Sequence, residues 1–142
     1  MTHRNLRAIP SMLPFTAGAL LMVLCTPALA AKAPDLPPSA KKLSAAQIAS
    51  LYDGHTFAFT TYTAFGVATG TVTYDFASKT NRGSYKLGFH TGDIDGRIRM
   101  DGDRFCYKVR MDSEHCDFVY LSGKDIYDVD PSGSVRSVNR EQ

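Results

Sequence analysis

From His55 onward, apolar and polar residues alternate with a period of two, and turn residues recur about every ten positions. This pattern is typical of short antiparallel strands joined by hairpins. It predicts about seven or eight strands, each with one buried face. The apolar residues that share a face in the first three strands are Phe57, Phe59 and Phe65, then Val72, Tyr74 and Phe76, then Tyr85, Leu87 and Phe89.

Polar turns are predicted at residues 78–83 and 91–96, and Asp101-Gly102 is a strong hairpin dipeptide. Later strands are predicted from the apolar residues on either side of these turns. They are a short strand with Ile98 and Met100, a strand with Phe105, Tyr107, Val109 and Met111, strands over 116–121 and 126–129, and a weak last strand near Val135.

The fold class that this pattern predicts is all-β with one short helix. Ser44 and Gln47 have the spacing of a capping box, and Ile48 and Leu51 would lie on one face of a helix that ends near Gly54 and flanks or plugs the sheet. Consecutive hairpins favour strands that are neighbours in space, and closure removes the sheet edges. We therefore expect an up-and-down meander forming a small barrel or half-barrel, with a Greek-key sandwich as the alternative.

The N-terminal 30 residues have the organisation of a secretory signal peptide: Arg4 and Arg7, an apolar run over 12–25, and Ala28-Leu29-Ala30. We expect cleavage after Ala30. The run is shorter than the roughly 20 residues of a membrane-spanning helix, which makes a permanent anchor the weaker interpretation. Lipoprotein processing at Cys25 is a second alternative, disfavoured by Leu24 before it. The predicted organisation is a signal peptide over 1–30, a flexible lead-in rich in Pro and Lys over 31–42, and one β domain over 43–142.

The charge and the cysteine content limit the compartments and the classes of partner that we expect for this protein. The chain has 16 Lys and Arg against 14 Asp and Glu, and Arg4 and Arg7 leave with the signal peptide, so the mature chain is neutral. A nucleic-acid-binding domain would show a basic excess, so we do not expect this protein to bind nucleic acid. No second apolar segment follows, so we expect no membrane span after cleavage. The predicted location is the periplasm or the exterior of a Gram-negative bacterium.

Cys106 and Cys116 remain after cleavage, in a compartment where thiols oxidise, and we expect them to form a disulfide. If they lie opposite each other in a hairpin, Tyr107 faces His115 and Phe105 faces Asp117. Lys108 and Glu114 would then form an exposed pair. The cysteines share a face with charged residues, so we place the bond on the less buried side.

Titratable residues that could build a catalytic or metal site cluster around the predicted turns. Asp93-Ile94-Asp95-Gly96 superficially resembles a calcium loop, but the twelfth position is Arg104 where that loop needs Glu. Nucleophile and phosphate-loop motifs are missing as well, so no catalytic residue, cofactor or metal is assigned. An alternative is a small periplasmic hydrolase or metal-dependent enzyme. It would use His90, His115 and the turn carboxylates Asp93, Asp95, Asp101, Asp103 and Glu114.

The function that we favour at this stage is a binding module, inhibitor-like or envelope-associated, with a protein partner of unknown identity. A stress-related envelope protein is compatible with the same features. A carrier of a small apolar ligand ranks lower, because small barrels usually fill their interior with side chains. Most of the aromatic residues are expected in the core. Four tyrosines could instead present their hydroxyls at a barrel mouth or an interface: Tyr62, Tyr107, Tyr120 and Tyr127.

The order of these features resembles a family of short proteobacterial secreted proteins of unknown function. The segments that carry the resemblance are the signal peptide, Leu43-Ser44, residues 51–56 and 70–74, residues 101–106, Cys116 and Val119-Tyr120. Similar proteins have a tryptophan soon after the first cysteine, whereas this chain has Tyr107 and no tryptophan. The resemblance implies an exported β domain with a cysteine pair and implies no activity.

Overall fold

The structure, a computed structural model, describes residues 31–109 and 113–142. The predicted signal peptide and Met111 lie outside the described residues. One short helix and nine strands follow one another along the chain. They are β1 (Lys41–Lys42), α1 (Ala45–Tyr52), β2 (Thr56–Thr63), β3 (Gly66–Asp75), β4 (Thr80–Leu87), β5 (His90–Asp101), β6 (Arg104–Val109), β7 (His115–Ser122), β8 (Asp125–Val129) and β9 (Val135–Glu141).

Strands β2 to β9 form a closed, antiparallel, up-and-down barrel of eight strands. Each strand pairs with the next along the chain, and β9 pairs with β2 to close the sheet. The predicted barrel is confirmed, and the Greek-key alternative is wrong. Two-residue β1 pairs with the second half of β7. Among the described residues, no helix has the length and apolar character needed to cross a membrane.

Helix α1 plugs one end of the barrel. Its predicted capping box is present: the Ser44 amide donates to Gln47 Oε1 over 2.9 Å, and the Gln47 amide donates to Ser44 Oγ over 3.4 Å. Tyr52, in the last turn, is fully buried and stacks on Tyr74 with 4.7 Å between ring centroids. Its ring also lies 5.1 Å from the rings of Phe57 and Phe105. The helix therefore completes an aromatic core at this end.

The disulfide and its register agree with the prediction. Cys106 and Cys116 are bonded, and Tyr107 pairs with His115. Cys106 is completely buried and Cys116 half-buried, so the bond is more deeply covered than its place among charged residues suggested. Glu114 forms a bidentate ion pair with Arg99 of β5 at 2.9 and 2.6 Å, rather than the simple exposed pair with Lys108 that the register suggested.

The hairpin between β4 and β5 differs from the prediction. Residues 91–96 are not a turn but lie within β5, and the chain reverses at Gly88, which has a φ of 58°, and Phe89. The reason is that both glycines are needed inside a strand: Gly92 makes room for the Tyr85 ring, and Gly96 for the Lys108 carbonyl and the Asn81 side chain. Likewise, the turn predicted at residues 78–83 lies earlier in the chain: it ends before Thr80, where β4 begins.

Phe65 and Phe89 are also corrections. Their parity matches the buried faces of the first and third strands, yet both follow the point where those strands end. They occupy the hairpin tips with exposed fractions of 90% and 104%. The last strand is longer than predicted and runs over Val135–Glu141, because it pairs with both β8 and β2.

The lead-in contacts the outside of the barrel. Ala33 and Leu36 pack against a small apolar cluster of Tyr127, Val129 and Val135. β8 is consequently covered on both faces: this cluster lies outside, and the barrel interior lies on the other side.

Candidate functional site

An internal cavity of about 500 Å³ lies between the aromatic plug and the end of the barrel that carries Phe65 and Phe89. Gly92, Asp93 and Ile94 of β5 are part of its lining, and of these Gly92 and Ile94 face inward whereas Asp93 faces outward. Four aromatic residues from β2, β3, β4 and β6 line it: Phe59, Tyr74, Tyr85 and Tyr107. The expectation of an interior filled by side chains is therefore wrong for this barrel.

Glycines in adjacent strands create much of this space. Phe59, Gly70, Tyr85 and Gly92 pair in succession across β2 to β5, and the two aromatic rings extend over the neighbouring glycines. A Cβ at Gly92 would come within 2.7 Å of the Tyr85 ring, and one at Gly70 within 2.9 Å of the Phe59 ring. Because both glycines lack side chains, the rings lie against the barrel wall and the centre stays open.

Asp128 of β8 is the buried carboxylate of this cavity. It accepts hydrogen bonds from the Tyr52 hydroxyl over 3.2 Å and from Asn139 Nδ2 over 2.8 Å, and it is only 4% exposed. Burial raises the pKa of Asp128 to about 7, while the hydrogen bond from Asn139 acts in the opposite direction. The group therefore titrates near neutral pH rather than in the usual acidic range of a carboxyl.

A second buried carboxylate lies next to the first and is neutralised by a partner. Asp117 accepts from Arg136 Nε over 2.8 Å, and the Tyr107 hydroxyl donates to the same oxygen over 3.4 Å. Arg136 also lies 3.9 Å from Asp130. Arg136 is thus held between two carboxylates, outside the lining of the cavity.

Asn81 of β4 contributes an unsatisfied polar group to the lining. Its side chain is buried, and its Oδ1 has no hydrogen-bond partner in the part of the chain that the structure describes. The oxygen lies against Gly96, where a Cβ would come within 2.5 Å. A half-turn of the amide would exchange its oxygen and nitrogen. Buried polar groups normally find a partner, so this amide is a natural contact for a ligand.

The histidines considered for catalysis lie apart from this cavity lining. His90 is exposed at the start of β5. His115 is half-buried at the start of β7, with its ring 5.7 Å from that of Tyr107. Neither belongs to a group of three or more metal-ligating side chains within residues 31–109 and 113–142.

The turn carboxylates are dispersed in the same way. Asp93 and Asp95 are exposed along β5, Asp101 is paired with Arg104, and Asp103 lies 3.8 Å from Lys42. Over the described ranges, one potential metal-binding group is present, Asp101 with Cys106 and Cys116. Its two sulfur atoms are already bonded to each other.

The buried polar residues of the barrel, Asp117, Asp128, Asn81 and Asn139, are not among the candidate site residues predicted from the sequence. A signal existed for Asp117, which shares its parity with inward-facing Val119, whereas parity identifies no inward face along β8, which carries Asp128 and is covered on both sides. A polar residue at a strand position whose alternate neighbours face inward indicates a polar site in the barrel interior.

No known protein family, curated protein or solved structure matches this chain. The resemblance to short secreted proteins of proteobacteria therefore stays a prediction, and the function must be inferred from the cavity itself.

Proposed function

We propose that this protein is an exported binding protein that holds a small molecule inside its barrel. The observation that carries the proposal is the cavity of about 500 Å³, lined by aromatic rings and a few buried polar groups. Ligand sites are commonly concave, of about 300–1,000 Å³, and mostly apolar with a small number of oriented polar contacts. This cavity has that size and that composition.

Two features suit a ligand with an apolar body and one polar group. Phe59 and Tyr85 offer flat ring surfaces on one side, whereas Asp128 and Asn81 offer buried polar atoms. Transfer of the apolar body from water onto the rings would supply about 25 cal/mol per Å² of buried apolar surface. The polar group would satisfy the interior hydrogen-bonding groups and orient the ligand.

Export is the second part of the proposal. The Cys106–Cys116 disulfide fits an extracellular or periplasmic protein. The signal peptide predicted over residues 1–30 would direct the chain there. Expression of the full chain followed by intact mass measurement tests this. Cleavage after Ala30 and formation of the disulfide would give the mass of a chain that begins at Ala31 and is two hydrogens lighter than the same chain in its reduced form.

Binding of another protein is the second candidate function. The observation that favours it is the exposure of Phe65 and Phe89 on two hairpins at the same end of the barrel. Large aromatic side chains at a surface are typical of protein contacts. If this candidate is right, Phe65→Ser and Phe89→Ser variants lose the partner while binding in the cavity is unchanged.

The cavity is tested by filling it. Ala68 lines the cavity, whereas Ala58 on the neighbouring strand faces outward, so Ala68→Phe and Ala58→Phe are a matched pair. We expect the fluorescence of N-phenylnaphthylamine to rise with the native protein and with Ala58→Phe, and to be lost with Ala68→Phe. Circular dichroism establishes that both variants are folded. Equal binding by the two variants would refute an internal site.

A further inference from the structure

The charge of the cavity is of one sign. Among the described residues that line it, Asp128 is the carboxylate that faces the interior, because Asp93 alternates outward along β5, and none is Lys, Arg or His. The guanidinium of Arg136 is bound to Asp117 and lies outside the lining. An anionic ligand would therefore meet a buried carboxylate with no free cation to offset the repulsion.

The aromatic lining suits a positive charge. Rings of Tyr74, Tyr85 and Tyr107 line the same cavity as Asp128. The face of an aromatic ring attracts a cation, and this attraction grows when the cation is removed from water. A carboxylate together with several ring faces is an environment in which an ammonium group loses its hydration and gains two kinds of attraction.

The hydrogen-bonding groups of the lining point the same way. Each oxygen of Asp128 accepts one hydrogen bond and can accept another when ionised, and the buried Oδ1 of Asn81 lacks a donor. An ammonium group has several N–H donors and no acceptor. Such a group could donate to the carboxylate of Asp128, while Asn81 lies on β4, opposite β8 in the barrel, where a second donor of the ligand could reach its oxygen.

Resting on the proposed function, we propose that the ligand is a small organic amine with an apolar, ring-containing body, whose ammonium group pairs with Asp128. The aromatic body would lie against Phe59 and Tyr85, in the part of the cavity that Gly70 and Gly92 keep open.

Pairing with an amine would require Asp128 to be ionised. Because burial raises its pKa to about 7, affinity should fall as the pH decreases below neutrality, and binding should release protons.

Titratable, charged and hydrogen-bonding groups from the surrounding elements face this carboxyl. They are Tyr52 from α1, Tyr74 from β3, Tyr107 from β6, Asp117 from β7, and Arg136 and Asn139 from β9.

The test compares three probes that share a ring system and differ in charge: naphthylethylamine, naphthylethanol and naphthylacetate. Isothermal titration calorimetry at neutral pH should show the amine binding at least about tenfold more tightly than the alcohol, and the acid most weakly. Asp128→Asn should bring the amine and the alcohol to similar affinity. Asp125→Asn, which removes a carboxylate of the same strand that is paired with Arg140, should keep the preference.

The outcomes separate the inference from the function on which it rests. Equal binding of the amine, alcohol and acid, or a preference for the acid, overturns the amine as ligand and leaves the internal site intact. The same holds if N-phenylnaphthylamine binds and none of the three probes does. If Ala68→Phe and Ala58→Phe bind N-phenylnaphthylamine equally, the internal site itself fails. The comparison of the three probes uses the native protein, so it stays decisive even if Asp128→Asn does not fold.

Discussion

Asp128 should give the barrel a pH dependence opposite to that of a salt-bridged carboxylate. Burial raises its pKa to about 7 in the folded protein, whereas in an unfolded chain the group titrates at about 3.9. Between these values, the folded state keeps a proton that the unfolded chain has lost, so stability falls as the pH rises. A difference of about three pKa units corresponds to about 4 kcal/mol.

The substitution Asp128→Asn isolates this contribution, because an amide cannot ionise. Its oxygen can still accept from Tyr52, and Asn139 can turn its own oxygen toward the new amide. We expect the free energy of unfolding of the variant, relative to the native protein, to increase by about 4 kcal/mol between about pH 4 and pH 8. Urea unfolding followed by circular dichroism measures this difference.

Other carboxylates act in the opposite direction, and the design accounts for them. Hydrogen bonds from Ser78 lower the pKa of Asp75, and the bond from Ser132 lowers that of Asp130. Their stabilisation is present above the unfolded pKa and is lost as the pH falls through their folded values. Asp75 and Asp130 are present in both the native protein and the Asp128→Asn variant, so their contributions cancel when the two free energies of unfolding are subtracted. A difference that stays constant with pH, within about 1 kcal/mol, would refute the burial of an ionisable Asp128.

Three further predictions concern the frame around the cavity. Tyr52→Phe removes the hydroxyl that donates to Asp128 and should cost about 1 kcal/mol in urea unfolding at pH 8, and no change would contradict that bond. Replacing both Cys106 and Cys116 by Ala should cost about 2–3 kcal/mol and abolish the effect of reductant on the unfolding midpoint. Gly83→Ala would place a Cβ 1.9 Å from a carbonyl oxygen of the facing strand, so its melting temperature should fall by at least about 10 °C, and an unchanged melting temperature would contradict the close approach.

The fold was largely predictable because alternation, hairpin residues and the cysteine pair are local signals. Register across β6 and β7 followed from pairing Cys106 with Cys116, and the capping box located α1. Prediction failed at Gly92 and Gly96, since glycine is typical both of a turn and of a strand that must pass close to a side chain. Only the positions of Tyr85 and Asn81 in space distinguish the two cases.

The cavity was not predictable from the same signals. β8 is buried on both faces, so the alternation that identifies inward residues elsewhere disappears there, and Asp128 is as covered as Tyr127. Asn139 lies beside Asp128 because β8 and β9 form a hairpin, but the second partner, Tyr52, comes from α1, 76 positions earlier in the chain. A pattern that is read along one strand does not contain that information.

The central claim, that a small molecule binds inside the barrel, is tested most directly by NMR. The mature domain, labelled with ¹⁵N, would be titrated with naphthylethylamine while the amide shifts are followed. We predict that the large shifts fall on residues that line the cavity, such as Ala68, Ile94 and Asn139. Shifts confined to the hairpins that carry Phe65 and Phe89 would contradict an internal site and favour binding at the surface.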